Sequence, residues 1–369
     1  MKASWKLGRL FGIEIKMHWT FLILIGWVAI ANIRAGNSTE LIFMNIAIIV
    51  VVFACVVLHE LGHALMARYF GIGTKKITLL PIGGIAHLER NPEKPKEELL
   101  VALAGPFVNF LIVVVLLLFV PISSYSRLSQ EEIETMINLP TAANFLLYIL
   151  MANAILLLFN MIPAFPMDGG RVVRAMLAFF RTRQQATAIA VGLGQFISVI
   201  FFVFGVLYNP FLAIIAVFVF FGATSELERE KMTNTLRGNT VIDALLTDIT
   251  LLKSDQYLYE VIDLIISGTE RDFIVIDAYH KPVGVLPMNI IIKNAKKENL
   301  TVGEIMLTEF KIISPDMKLP HFLDLLSNSK QSFYPVVENE KIVGAIDMKN
   351  ITEFITLKQA LYSPTLSNS

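Results

Sequence analysis

The sequence predicts a polytopic α-helical membrane domain, with six transmembrane helices and a small membrane-associated β hairpin or sheet, followed by a cytosolic α/β domain. Two observations predict this fold class. Of the 369 residues, 55% are hydrophobic and only 17% are charged, and the mean hydropathy is +0.62, whereas soluble domains carry about 25% charged residues. The composition turns polar only after about residue 228, so the soluble part lies at the C-terminus.

Six apolar stretches come close to the length of about 20 residues that a helix needs to cross a bilayer. They lie at about 17–36, 42–67, 98–121, 141–162, 186–207 and 209–226. The first follows a basic head and also fits a cleavable signal peptide, but its length favours a helix that is retained. We therefore expect an integral, multi-pass protein of a bacterial or archaeal cell membrane, in contact with the lipid bilayer.

Basic residues alternate between the segments that connect these stretches. One set comprises Lys2, Lys6, Arg9 and Lys16 before the first stretch, Arg68, Lys75, Lys76, Arg90, Lys94 and Lys96 after the second, and Arg171, Arg174, Arg181 and Arg183 after the fourth. The opposite segments contain only Arg34 and Arg127. Because basic loops stay on the cytosolic side, the N- and C-termini are predicted to be cytosolic.

The polar tail contains an internal duplication. Residues 240–247 align with residues 301–308 at a constant offset of 61, and the copies align again, after a one-residue slip, near Gly284 and Gly344. Each copy is predicted to form strand, helix, strand, turn, strand and helix. The predicted domains are a membrane domain at 1–228, a linker at 229–239, the two copies at 240–295 and 300–358, and a flexible tail at 359–369.

The second apolar stretch ends in a metal-binding pattern, His59-Glu60-Leu61-Gly62-His63. Residues four apart share one face of a helix, so His59 and His63 can bind one metal ion. Glu60 is placed to take a proton from a water molecule that zinc makes acidic. A charge at the centre of a membrane helix costs about 2.5 to 3.5 kcal/mol, so a function is the expected reason for these residues.

A catalytic zinc needs a third protein ligand and an open position. The candidate lies in residues 160–170, where two prolines and two glycines predict unwound backbone at the end of the fourth stretch. Asp168 in this segment could turn back towards the metal, although it also fits the N-cap of the helix that follows. The second and fourth spans both run inward, so the two motifs reach the same side of the membrane.

Together these residues resemble the site-2 protease family of intramembrane zinc metalloproteases (peptidase family M50 type), which pairs HExxH with a later Asn-xx-Pro…Asp-Gly motif. The resemblance covers about residues 10–225 and includes His18-Trp19-Thr20 and the segment 104–109, Ala-Gly-Pro-Phe-Val-Asn. It implies regulated intramembrane proteolysis, the hydrolysis of peptide bonds within or next to transmembrane segments of single-pass or membrane-bound proteins. The implied site has one Zn²⁺ per chain, the ligands His59, His63 and Asp168, the general base Glu60, and Asn160 near the substrate.

The tail resembles tandem CBS domains, most clearly at residues 333–344. The resemblance implies an α/β tandem CBS domain that packs as a pseudo-dimer, regulates the enzyme and often binds an adenine nucleotide. Nucleotide-binding members carry Ser or Thr and then Asp after the turn glycine, where this chain has Pro287 and Ile290 in one copy and Asp347 and Asn350 in the other. A tail that forms homodimers or docks partners is at least as well supported as a nucleotide sensor.

Residues 76–87, between the second and third stretches, look extended and rich in glycine. We expect one edge of this segment to receive the substrate by strand addition. A hairpin that only shapes the cavity is the alternative. Either form would belong to the predicted membrane-associated hairpin or sheet.

Several other polar residues have a structural interpretation that competes with a functional one. Asn153 shares a helical face with Asn160 and is the best candidate for a side chain that supports a metal ligand from behind, whereas Asn109 is expected to make an interhelical hydrogen bond. Cys55 is expected to be a small buried apolar residue. His87 is expected at the membrane interface, and His18 fits an interfacial or a site role equally well.

The competing function is a metal or ion transporter regulated by a CBS tail. A transport site needs no base beside a pair of histidines, so Glu60 favours the hydrolase. The formal net charge is zero, which gives no indication of a nucleic-acid partner. A single cysteine excludes an internal disulfide framework.

Overall fold

The computed structural model describes residues 4–362 apart from 82, 123–128, 130–138, 269, 298, 328 and 330. Arg127, one of the two basic residues assigned above to the opposite side, lies outside the described residues. The chain divides into two compact units, Met1–Glu230 and Lys231–Ser369.

All but one of the helices described in the first unit coincide with the predicted apolar stretches. In chain order they are α1 (Thr20–Arg34), α2 (Thr39–Tyr69), α3 (Pro95–Leu117), α4 (Phe145–Asn160), the short amphipathic α5 (Asp168–Leu177), α6 (Arg183–Tyr208) and α7 (Pro210–Leu236). Four of them, α2, α3, α6 and α7, are long and apolar enough to cross a membrane. The apolar helices α1 and α4 have 15 and 16 residues, so the count of six spans stays a prediction.

The longest helix, α2, has 31 residues and is therefore about 46 Å long. It begins at Ser38, whose hydroxyl accepts a hydrogen bond from the Leu41 amide at 3.3 Å. Its buried residues all lie from Cys55 onward. The half that carries His59 and His63 is thus enclosed by protein, while the residues of the first half are partly buried or exposed.

A four-stranded sheet packs against this enclosed half of α2. Its strands are β1 (Ser4–Leu10), β2 (Ile13–His18), β3 (Thr74–Leu80) and β4 (Gly83–Leu88), in that spatial order. The pairs β1–β2 and β3–β4 are antiparallel, and β2–β3 is parallel. Alternate residues of β2 and β3 point to one face, where Ile13 and Ile77 are buried against Leu61 and Ala64.

The second unit contains the two predicted copies. After a short 3₁₀ turn the first copy consists of β5 (Leu251–Lys253), α8 (Leu258–Ser267), β6 (Phe273–Ile276), β7 (Pro282–Leu286) and α9 (Met288–Asn294). The second consists of α10 (Val302–Ile305), α11 (Leu319–Ser327), β8 (Phe333–Glu338), β9 (Lys341–Asp347) and α12 (Met348–Tyr362). The predicted flexible tail therefore begins inside α12, and residues 363–369 lie outside the described residues.

Reciprocal backbone pairs hold the two copies together. Leu246 of the first copy pairs with Ala345 of the second, and Leu307 of the second pairs with Val285 of the first. Leu246 and Leu307 occupy equivalent positions of the duplication. The first segment of each copy therefore pairs with the last strand of the other copy, β9 or β7. A Cβ at Gly344 would overlap Leu246, which explains a glycine at this crossing.

A helix occupies most of the predicted linker at 229–239. α7 runs on to Leu236, which is buried in the core of the second unit with Val241 and Phe322. Gly238 follows the helix with a φ of +80°, a conformation that favours glycine. The division between the units falls within α7, after Glu230.

Candidate metal centre

Three buried donor atoms converge from two helices of the first unit. The Nε2 atoms of His59 and His63 lie 3.1 Å apart, and the Asp168 Oδ2 atom lies 3.2 Å from the first and 3.0 Å from the second. The three residues are 5 to 8% exposed. They form the group that could hold a metal ion among the residues that the structure describes.

The hydrogen bonds of the other ring nitrogens determine the tautomers of both histidines. His59 Nδ1 lies 2.6 Å from the Asn109 Oδ1 atom, and His63 Nδ1 lies 2.7 Å from the Val101 carbonyl oxygen. Both oxygens are acceptors, so both Nδ1 atoms carry the proton and donate it. The two Nε2 lone pairs therefore point at each other and at a carboxylate, an arrangement that a cation satisfies.

A short chain of amides orients the Asn109 oxygen towards His59. Asn109 Nδ2 donates to Asn153 Oδ1 at 3.0 Å, and Asn153 Nδ2 donates to the Ile149 carbonyl oxygen at 2.8 Å. A carbonyl oxygen can only accept, so each amide in the chain has one possible orientation. Both asparagines are fully buried, and the chain links α2, α3 and α4.

The irregular segment between α4 and α5 brings Asp168 to the histidines. α4 ends at Asn160, and Asp168 is the first residue of α5, whose N-cap is Met167. Asp168 is therefore not the N-cap that its sequence context also allowed. The segment folds back so closely that a Cβ at Gly169 would lie 2.6 Å from the Met161 carbonyl oxygen, so glycine is required there.

A glycine of α3 faces the two histidine donor atoms. A Cβ at Gly105 would overlap His63 Nε2 and would lie 2.8 Å from His59 Nε2. The bare backbone of α3 thus leaves the space into which both lone pairs point. This space is a property of the packing of α3 on α2.

The donor set fits a zinc ion. Donors at 2.0 to 2.1 Å from a tetrahedral zinc lie about 3.3 Å from one another, close to the separations of 3.0 to 3.2 Å between these atoms. Two imidazoles and one carboxylate make three ligands, which leaves a fourth position for water or substrate, as catalytic zinc sites require.

Glu60 follows His59 directly on α2 and contacts the sheet. Its Oε2 atom accepts a hydrogen bond from the Ala86 amide of β4 at 3.0 Å. A Cβ at Gly84 would lie 2.6 Å from Glu60 Cγ, so β4 can approach the carboxylate only through a glycine. The strand β4 thereby holds the Glu60 side chain in place next to His59 on α2.

Residues 47–204 match the family model described as Peptidase family M50, and residues 302–357 match that of the CBS domain. The zinc metalloprotease MJ0392 of Methanocaldococcus jannaschii is 31% identical over 353 residues, which cover 95% of this chain and 80% of that protein. The chain belongs to peptidase family M50. This confirms the predicted family, the zinc cofactor and the activity, so the protein is an intramembrane zinc metalloprotease with a CBS module as a regulatory element.

Two solved structures are also similar to this M50 protease. The site-2 protease from Methanocaldococcus jannaschii is 35% identical, with a TM-score of 0.42, and covers 61% of this chain and 95% of that chain. The CBS domain pair of protein MJ0100, solved in complex with 5′-methylthioadenosine and S-adenosyl-L-methionine, is 22% identical, with a TM-score of 0.31, and covers 32% of this chain and 98% of that chain.

Of the other residues singled out in the sequence, some lie next to the candidate metal centre and others do not. Asn153 belongs to the amide chain behind His59, whereas Asn160 is half-buried at the last position of α4. Cys55 is buried one turn before His59 and is not in the metal-binding group. His18 Nδ1 lies 2.7 Å from the Thr20 hydroxyl oxygen, and His87 is half-buried in β4.

Three groups in α3 have roles that the sequence did not predict. Asn109 makes the expected interhelical hydrogen bonds, but His59 was not predicted as one of its partners. Neither the Val101 carbonyl, which accepts from His63, nor the close approach of Gly105 was expected. The Gly-x-x-x-Asn spacing places Gly105 and Asn109 on one helical face, which is the signal that could have found them.

We expect Asn109→Leu to weaken zinc binding by about 10- to 100-fold, because His59 loses the acceptor that orients its ring. The measurement is zinc affinity by competition with a chromogenic chelator. Asn45→Leu is the matched control, since Asn45 donates to Asn32 between α2 and α1 at 3.0 Å and contacts neither histidine. Equal affinities for the wild type and the Asn109 variant would show that the hydrogen bond does not support the ligand.

Proposed function

We propose that the protease hydrolyses its peptide bond at His59, His63 and Asp168, which hold the zinc ion, with Glu60 as the general base. The observation that carries this proposal is the convergence of three lone pairs within 3.2 Å, two of them from imidazoles with defined tautomers. The test replaces Glu60 by glutamine in the full-length protein and measures zinc content and cleavage on one preparation.

Each residue has a separate task in this mechanism. When bound, zinc polarises the scissile carbonyl group and lowers the pKa of water. Glu60 takes the proton of the attacking water and returns it to the leaving nitrogen. Asn109 and Asn153 keep His59 oriented behind the site, and Asn160 is assigned to the substrate side, as the family motif implies.

We propose six membrane spans with both termini in the cytosol. Six apolar helices at the predicted positions and the alternation of basic segments support this topology. The helices α1 and α4 have 15 and 16 residues and are about 23 Å long, shorter than a hydrocarbon core of about 30 Å. Flanking residues or local thinning of the bilayer would make up the difference.

The proposed substrate is a single-pass or membrane-bound protein that adds as a strand to the outer edge of β4. The Ala86 amide already points away from β3, because it donates to Glu60, and the Glu89 amide points towards β3. By alternation, the backbone amides of Gly84, Ala86 and Leu88 point to the outer edge and the Ile85 amide points to β3, while the side chains project from the two faces of the sheet. A substrate strand on this edge would pass directly beside Glu60.

Cysteine cross-linking distinguishes a strand from a helix at this edge. With Cys55 replaced by alanine, Ile85→Cys is expected to form disulfides with every second position of a cysteine-scanned substrate, because strands have a period of two. Ile85 is 46% exposed. Leu7→Cys on β1, the opposite edge strand, is 56% exposed and is the matched control. Cross-links that recur every three to four positions would exclude strand addition.

We propose that the second unit regulates the protease as a CBS pair, with the domain limits predicted above, and that it supports a homodimer.

A nucleotide ligand of this unit stays a prediction. A cleft of about 580 Å³ in this unit includes Asp347 and Asn350, and its other charged residues are Asp248, Glu270, Arg271, Asp272, Lys349 and Glu353. Burial and the charge of Asp347 raise the pKa of Asp272. Five carboxylates against two cations disfavour ligands with several phosphate groups.

A further inference from the structure

A buried ion network joins four helices of the protease, and the mechanism above does not use it. Arg174 of α5 donates from Nε to Glu98 Oε1 of α3 at 2.9 Å and also pairs with Glu226 of α7. Arg183 of α6 donates to Glu98 Oε2 at 2.9 Å and to Glu230 Oε2 of α7 at 3.1 Å. Glu98, Arg174 and Glu230 are 1, 4 and 6% exposed.

Burial makes this network a strong positional restraint. Charges removed from water are costly unless they remain paired, so each guanidinium group is restricted to the place where its carboxylates can reach it. Arg174 offers a planar fork of donors and uses it on Glu98 and Glu226, which belong to two different helices. The position and the rotation of α5 are both restrained as a result.

The restraint acts on the helix that begins with the metal-site carboxylate. Asp168 is in the first turn of α5, and Arg174 follows six residues later, about 9 Å along the axis. The Arg174 guanidinium also lies over the Phe165 ring, 4.8 Å from its centroid. Phe165 is 2% exposed and precedes Asp168 by three residues. Arg174 thus belongs to the helix that begins at Asp168 and contacts the segment that precedes it.

We propose that Arg174 is a positioning residue of the metal site: through Glu98, Glu226 and Phe165 it holds α5 so that the Asp168 carboxylate faces the two imidazoles. This inference rests on the proposed function of Asp168 as a zinc ligand. It assigns a role in metal binding to a side chain that has no contact with the donor atoms themselves.

The test uses the full-length protein and two metals. Arg174→Gln is expected to lower the affinity for Zn²⁺ by about 10- to 100-fold in chelator competition, and to change the visible absorption spectrum of bound Co²⁺, because one ligand is no longer held in place. Arg183→Gln is the matched control, since it removes a guanidinium from the same Glu98 but lies on α6. It should reduce thermal stability and leave both metal readings unchanged.

Three further variants complete the test. Arg174→Lys retains the charge but not the fork, so its affinity should lie between those of the wild type and Arg174→Gln. If Arg174→Gln does not fold, Glu226→Gln replaces it, because the Glu226 side chain is 27% exposed. It should lower zinc affinity by a smaller factor. Asp168→Ala tests the proposed function separately, since an unchanged Co²⁺ spectrum there would mean that Asp168 is not a ligand.

Two results would overturn the role of Arg174. One is a wild-type zinc affinity and Co²⁺ spectrum in Arg174→Gln, or in Glu226→Gln when that variant is used instead. The other is an equal loss of affinity in Arg174→Gln and Arg183→Gln, which would mean that the network stabilises the fold without positioning α5.

Discussion

Glu60→Gln is expected to lower the rate of cleavage by about 10²- to 10⁴-fold, the usual effect of losing a general base, while zinc stays bound. Glutamine has nearly the same size as glutamate, and its carbonyl oxygen can still accept the hydrogen bond from the Ala86 amide. It cannot take a proton from water. The three proposed zinc ligands are unchanged, so the zinc content should stay at the wild-type level while the rate of cleavage falls.

The measurement uses the full-length protein in liposomes with a single-pass protein that the wild type cleaves. Zinc content and cleavage are determined on the same sample. Glu40→Gln is the matched control, because Glu40 lies in the exposed first turn of the same helix. Cleavage by Glu60→Gln at the wild-type rate would refute the proposed base. An inactive variant that still binds substrate would also retain substrates for identification by mass spectrometry.

Gly105→Ala is expected to reduce zinc affinity by more than about 100-fold, a larger loss than is typical when a hydrogen-bond partner of a metal ligand is removed. The added methyl group would overlap His63 Nε2 and lie 2.8 Å from His59 Nε2, in the space where the lone pairs converge. Cleavage should be lost with the metal. Alanine is a better helix former than glycine by about 1 kcal/mol, so the substitution does not weaken α3 itself.

This prediction is tested by measuring zinc content by atomic spectroscopy and stability by thermal melting. Gly192→Ala on α6 is the matched control, because a Cβ there has no atom within 4 Å among the described residues. The control should keep its zinc and gain slightly in stability. If Gly105→Ala retained zinc and activity, α3 would have to lie farther from the two histidines than it does here.

Local patterns in the sequence were sufficient to predict the helices and the first two of the proposed zinc ligands. A run of apolar residues is a local property of the chain, and the apolar stretches predicted from it coincide with α1 to α4, α6 and α7. His59 and His63 are four residues apart on one helix, so their shared face follows from helix geometry alone. The prediction of Asp168 rested on a weaker argument, namely that the fourth span ends on the same side of the membrane as the second.

Pairings between distant segments were less accessible. The duplication in the tail predicted two similar copies, but not that Leu246 and Leu307 would each pair with a strand of the other copy. The extended segment after α2 was predicted to belong to a hairpin or sheet, but the other strands of that sheet were not predicted: β3 pairs with β4 and also, in parallel, with β2, about 60 residues earlier in the chain. Hydrophobic periodicity describes which face of a strand is buried and contains no information about its neighbour.

The sequence by itself determined the family, the chemistry of the donor set and the division into an apolar and a polar part, because each depends on residue types at short spacings. Only the tertiary structure decided which groups surround those donors. Asn109 and Gly105 act on His59 and His63 because α3 packs on α2 with that face inward, and Arg174 reaches Glu98 and Glu226 because three helices meet there. Such contacts depend on how helix surfaces interlock, a property of pairs of elements that no single segment of the chain encodes.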